Sequence, residues 1–176
     1  MPEAVGNSKI GPSNLPGTVS GIANAVAVAA GCALLSSGTV QCWGGNAYGQ
    51  LGNGTTTDSS VPVTVSGITN AIAVAAGGSP RTCALLSNGS IQCWGCNTDG
   101  QLGNGTTADS SVPVTVSGIT NAIAVAAGDS DHTCAVLSNG SIQCWGCNTK
   151  RLSQLCAKTF HTIVYARAAC PISFGF

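Results

Sequence analysis

Six cysteines stand in three pairs at one separation: Cys32 and Cys42, Cys83 and Cys93, Cys134 and Cys144. Two more, Cys96 and Cys147, follow three residues later and create the sequence C-W-G-C twice. Thiols so arranged could close disulfides, ligate zinc or exchange a dithiol for a disulfide. Dithiol exchange needs a thiolate at a helix N-terminus in a thioredoxin-like setting, whereas Cys93 ends a strand-like segment. Zinc would need the two C-x-x-C pairs to converge, but they occupy equivalent positions in separate repeats. The first copy carries Gly45 at that position, so Cys96 and Cys147 read as variable loop residues.

The three regular pairs follow from counting across a turn. Ser87-Asn88-Gly89 makes a three-residue hairpin loop with Gly89 in the left-handed region. Leu86 then faces Ser90, and Cys83 faces Cys93. The same count sets Cys32 opposite Cys42 across a turn ending in Gly38, and Cys134 opposite Cys144 across one ending in Gly140. If the closing pair is hydrogen-bonded, alternation makes each cysteine pair non-hydrogen-bonded, with Cα atoms about 4.5 Å apart. That separation suits a disulfide. The expectation is three hairpin disulfides in an oxidising compartment; the competing reading is three pairs of buried thiols packed as small hydrophobes. Cys156 and Cys170 have no repeat partner.

Other residues offer less. His132 lies two residues before Cys134 and could form a Cys–His dyad, but no orienting carboxylate recurs with it. The second repeat has Arg81 there, so a structural role is expected. Asp58, Asp99, Asp109, Asp129 and Asp131 lie in loops, and none has calcium-loop spacing. Gly100-Gln-Leu-Gly-Asn-Gly lacks the lysine of a phosphate loop. Asn53, Asn88, Asn104 and Asn139 begin N-G-[ST] acceptor sequences, which turn chemistry explains more simply. Trp43, Trp94 and Trp145 recur at hairpin ends and are expected to pack between units.

The elements that carry these residues repeat every 51 residues, as VPVTVSGITNAIAVAAG at 61–77 and 112–128 shows. An earlier unit, TVSGIANAVAVAAG at 18–31, runs straight into Cys32, whereas later units insert GSPRT or DSDHT. Each unit reads as four short strands. Ile72 and Val74 alternate with Ala71, Ala73 and Ala75; a hairpin follows; WGCNTDGQLGNGTTADSS reads as loop; VPVTV closes the unit with Pro62 at an edge or strand start. Small alanines allow close approach near a shared axis. The partition is an irregular segment at 1–17, repeats at 18–60, 61–111 and 112–149, and a non-repeat tail at 150–176. The tail begins where DGQLGNGTT should stand and holds four of the six Lys and Arg residues. It reads as a shifted or partial reading frame, with an evolved cap as the alternative; helix is weakly indicated over 154–168.

Only 7% of the 176 residues are charged and the formal net charge is zero. No general field therefore draws nucleic acid or an acidic membrane, and neither is expected as a partner. The 44% hydrophobic content can supply a core. Ten cysteines suggest export, yet the first residues contain no apolar signal segment. The expectation is that a true N-terminus with further repeats lies upstream.

Gly77…Cys83-Ala-Leu-Leu-Ser-Asn-Gly…Cys93-Trp-Gly…Gly100-Gln-Leu-Gly-Asn-Gly resembles the repeat of the regulator of chromosome condensation family, in particular its cysteine-bearing bacterial form. The resemblance covers roughly residues 18–149. It implies an all-β fold, an incomplete β-propeller of about three four-stranded blades from a typically seven-bladed family. It also implies a non-enzymatic binding or structural module that meets a protein partner, or further repeats of the same kind, through its blade loops. The alternative implied is guanine-nucleotide exchange on a small GTPase, although no residue here matches that activity. No catalytic residue, cofactor or metal is expected, and the parent protein is expected to be extracellular or at the cell surface.

Overall fold

The computed structural model describes residues 17–128 and 131–147. The tail at 150–176, the indicated helix, Cys156, Cys170 and Asp129 lie outside the described residues, as does all but residue 17 of the segment at 1–17.

The described chain is all-β. Sheet 1 holds β1 (Ala25–Ala29), β2 (Cys32–Leu35), β3 (Val40–Gly44) and β4 (Ser59–Thr64). Sheet 2 holds β5 (Ala71–Ala76), β6 (Arg81–Leu86), β7 (Ile91–Gly95) and β8 (Ser110–Thr115). Sheet 3 holds β9 (Ala122–Ala127), β10 (His132–Leu137) and β11 (Ile142–Gly146). Neighbours in sequence pair antiparallel throughout, so each sheet is a simple meander, the form of a propeller blade. The V-P-V segment at 61–63 lies in β4 and completes the preceding sheet. It is an edge strand, where Pro62 leaves no ladder bond unmade on the open side.

The hairpins form at the counted register. Leu86 N–H donates to the Ser90 carbonyl, and Cys83 pairs with Cys93. Gly38, Gly89 and Gly140 have φ of 80°, 78° and 82°, the left-handed region glycine adopts without a Cβ penalty. The alternation expected in the alanine strand breaks at one place. The register shifts between Ala71 and Ala73, so Ile72 is an extra residue and is 58% exposed. This bulge resets the faces, putting Ala71 and Val74 together on the side that meets sheet 1.

Sheets stack face to face through alternate residues. Cys32, Leu34, Val40 and Cys42 of sheet 1 join Ala71, Ala84, Leu86 and Trp94 of sheet 2 in one core. Cys83, Leu85, Ile91 and Cys93 join Ala122, Ala135 and Leu137 of sheet 3 in a second. Each alanine strand meets the first two strands of the preceding sheet: β5 touches β1 and β2, and β9 touches β5 and β6.

Candidate functional site

Each cysteine pair is bonded: Cys32–Cys42, Cys83–Cys93 and Cys134–Cys144, with Cα separations of 4.0, 4.0 and 4.1 Å. The bonds tie neighbouring strands of one sheet, and the first two lie on the face that meets the following sheet. Bonding removes two reactive readings. Cys93 is committed to Cys83, so C-W-G-C cannot cycle between dithiol and disulfide. Cys134 is committed to Cys144, so it offers His132 no thiolate. Cys96 keeps a thiol, which is buried rather than in an open loop. Its sulfur lies 3.7 Å from the Thr98 hydroxyl and 3.5 Å from the Gln101 amide nitrogen.

The glycine-rich loops are built around buried, hydrogen-bonded polar side chains. Asn46 and Asn97 have no solvent exposure. The Asn97 amide nitrogen donates to the carbonyls of Thr106 and Ala108, both at 2.9 Å, and its oxygen accepts the Leu102 N–H at 2.9 Å. The Asn97 backbone N–H donates to the Asp109 carboxylate at 2.7 Å. Asn46 repeats the set with the Thr55 and Thr57 carbonyls, Leu51 N–H and Asp58. One buried side chain thus folds each loop around itself, replacing backbone partners a loop otherwise lacks. Tyr48, Thr98 and Asp99 stay exposed at the tips.

The turn inside each loop joins one blade to the next. The Gln50 carbonyl accepts the Trp94 indole N–H at 2.9 Å and the Thr82 hydroxyl at 3.2 Å. The Gln101 carbonyl accepts the Trp145 N–H and the Thr133 hydroxyl, both at 3.0 Å. A Cβ on Gly52 or Gly103 would lie 2.6 Å from the indole nitrogen it faces, so the turn needs glycine there. A second tie links hairpin tips to the next alanine strand: Ala71 N–H donates to the Gly38 carbonyl and Ala122 N–H to the Gly89 carbonyl, each at 2.9 Å. Trp94 is fully buried, while Trp43 and Trp145 are half-buried.

A charged group enters at the second joint. Arg81 is 1% exposed. Its Nε donates to the Thr133 hydroxyl at 3.0 Å, and Nη2 donates to the carbonyls of Gly128, at 3.2 Å, and His132. Burial pushes its pKa below the usual arginine value, and the charge of Asp131 opposes that shift. His132 is 2% exposed, so its role is in the joint. Among the described residues no cluster of His, Cys, Asp and Glu has the makings of a metal site. A cavity of about 210 Å³ lies between sheets 1 and 2, bordered by Trp43, Gln50, Ser79 and Arg81.

The sequence reading passed over Asn46, Asn97, Gln50 and Gln101. Their signal was recurrence at the repeat spacing inside segments that read as featureless loop. Asp58 and Asp109 recur with them.

The profile of the Regulator of chromosome condensation (RCC1) repeat matches residues 37–84 and 88–136, and a second RCC1 repeat profile matches 71–101 and 122–151. The chain is 34% identical over 109 residues to the Ultraviolet-B receptor UVR8 of Arabidopsis thaliana, which covers 61% of this chain and 25% of UVR8. It is 33% identical over 122 residues to the human E3 ubiquitin-protein ligase HERC2, covering 65% of this chain and 2% of HERC2. The chain thus spans a quarter or less of these curated relatives. Human WBSCR16 superposes with a TM-score of 0.59 at 26% identity, over 65% of this chain and 30% of that one. Yeast RCC1 (Prp20), solved with Kap60, superposes with a TM-score of 0.55 at 23% identity, over 65% and 29%, and shows the shared fold. The chain belongs to the Regulator of chromosome condensation (RCC1) repeat family, and its sheets are blades of an incomplete β-propeller.

Proposed function

We propose that the chain is a non-enzymatic, protein-binding propeller segment that presents its loops to a partner protein. The observation that carries this reading is the loop architecture at 46–58 and 97–109. A fully buried asparagine fixes each loop, and exposed residues such as Tyr48 and Asp99 crown it. Binding residues gather on loops held by a rigid scaffold, and pre-ordered loops lose little entropy on binding. The relatives include a receptor and a ubiquitin ligase, which fits repeats that serve within larger proteins. Three disulfides in a small, weakly charged chain support an exported parent.

The test places photo-crosslinking amino acids at Tyr48 and Asp99 in the intact chain. Adducts with a protein partner from both loops are expected. Adducts from neither would overturn the reading. Export is tested by alkylating the protein in its native source before reduction; alkylation of Cys32, Cys83 and Cys134 in that step would overturn it.

A further inference from the structure

The two joints differ at one end, where the first strand of each sheet turns into the second. In the second joint the Arg81 guanidinium fills that end. Its Nε meets the Thr133 hydroxyl, and Nη2 meets the carbonyls of Gly128 and His132. Cys96 packs beside Gln101 next to it. In the first joint the residues at the same repeat positions are Thr82, Gly77 and Arg81, each 51 positions earlier. All three line the cavity of about 210 Å³. The first repeat sends nothing into that space. Gly31 runs into Cys32 where Gly77 is followed by Gly-Ser-Pro-Arg-Thr, and Gly45 stands at the position of Cys96. The Arg81 side chain points the other way, to sheet 3.

We propose that this cavity is a binding site for a guanidinium group from outside the chain, either a partner protein's arginine side chain or a free guanidino compound. It takes the group as the second joint takes Arg81, on the Thr82 hydroxyl and the carbonyls of Gly77 and Arg81. The Thr133 hydroxyl donates to the Gln101 carbonyl while accepting from Arg81. Thr82 likewise donates to the Gln50 carbonyl, which leaves its oxygen lone pairs to accept. A carbonyl also accepts twice: that of His132 takes the Gly128 N–H together with the guanidinium. Acceptors in fixed directions suit the planar fork of a guanidinium better than an ammonium, which is a compact point charge. The cavity is smaller than the roughly 300 Å³ at which drug-sized pockets begin, so it holds one functional group rather than a whole ligand. Ala30 and Gly45 on its border are exposed and give an entry from solvent. Asp131, whose charge favours that of Arg81, has Pro80 as its counterpart here. The guest is therefore held by neutral acceptors, and the isolated group should bind with a dissociation constant on the order of 1 mM or weaker. The site lies apart from the loop tips and stands without the loop-binding reading.

The probes are ethylguanidinium, propylammonium, free arginine and N-acetyl-arginine amide. Each is titrated at constant ionic strength into the intact 176-residue chain and followed by backbone amide chemical shifts. Ethylguanidinium is expected to bind saturably and to move the amides of Gly77, Arg81 and Thr82 while those of residues 133–136 stay still. Propylammonium should bind about tenfold more weakly or worse. Tighter binding of the blocked arginine than of free arginine assigns the guest to a protein side chain; the reverse order assigns it to the small molecule. Insertion of Gly-Ser-Pro-Arg-Thr between Gly31 and Cys32 supplies the arginine in cis and should abolish binding. Thr82→Val removes one acceptor and should weaken ethylguanidinium about tenfold. Absence of saturable binding up to about 50 mM overturns the proposal. So does equal binding of propylammonium, or undiminished binding by the insertion variant. Should the insertion variant fail to fold, unchanged affinity in Thr82→Val overturns it alone. Crosslinking from Tyr48 and Asp99 is read separately, so the loop-binding reading and this site can fail independently.

Discussion

The joint between sheets 1 and 2 and the joint between sheets 2 and 3 share one set of ties and differ in one residue. Both use a glutamine carbonyl to hold the next blade's tryptophan and threonine, and both use a turn glycine carbonyl to hold the next alanine strand. Only the second joint buries Arg81. Its guanidinium reaches across to Thr133, Gly128 and His132 of sheet 3. The first repeat is shorter at this point and has no arginine to send. Main-chain acceptors held by turns are thus the general fastening of the array. The buried cation is a local addition, tolerable because acceptors meet it at the end of its reach.

The comparison can be broken most severely at the turn glycines. Gly103→Ala combines a left-handed φ of 68° with a Cβ pressed on Trp145, and should cost about 2–4 kcal/mol. Gly52→Ala should cost the same at the first joint. Hydrogen exchange should show the damage over residues 132–146 for the former and 81–95 for the latter. Equal damage at both joints from either substitution would show that the joints do not act separately.

Arg81→Met separates the joints more finely. It leaves the Gly128 and His132 carbonyls without their charged donor and should cost about 2–3 kcal/mol in denaturant unfolding. Exchange should rise in β9 and β10 and stay unchanged in β1 and β2. Asn97→Ala and Asn46→Ala probe what the joints share. Each removes the same two carbonyl bonds and one N–H acceptor from its loop, Asn97 losing in addition a long 3.3 Å bond to Asn104, and should cost about 1–2 kcal/mol, with the two values close. A large inequality would show that the loops are held differently despite their matched bonds. The smallest effect is expected from Thr82→Val, which deletes the hydroxyl donor to the Gln50 carbonyl from a side chain of the same shape and should cost about 1 kcal/mol, read from the same unfolding curves.

How much of this could be read in advance depends on which atoms carry the contact. The cysteine pairs were legible because ten residues and one turn separate them; the turn's length sets the register and the register sets the pair. The tryptophans were visible as a periodic residue, but their acceptor was not. It is a backbone carbonyl 44 positions away, and a backbone atom leaves no mark in residue type. Ile72 was assigned to a regular alternation because nothing in an apolar run announces an extra residue. Cys96 was read as a loop position from its glycine counterpart, yet its loop folds inward around Asn97, which hides both side chains.

By itself, the sequence determined the repeat period, the four-strand order within a unit, the hairpin register and the left-handed glycines. The period and strand order are written in the recurrence of the sequence, and the register and glycines follow from covalent spacing and local backbone preference over about a dozen residues. The tertiary structure alone decided which face of each sheet is covered, where Arg81 ends, and that Trp94 is sealed while Trp43 stays open to a cavity. Those outcomes depend on whether another blade is present, and identical local sequence is buried or exposed according to its neighbour.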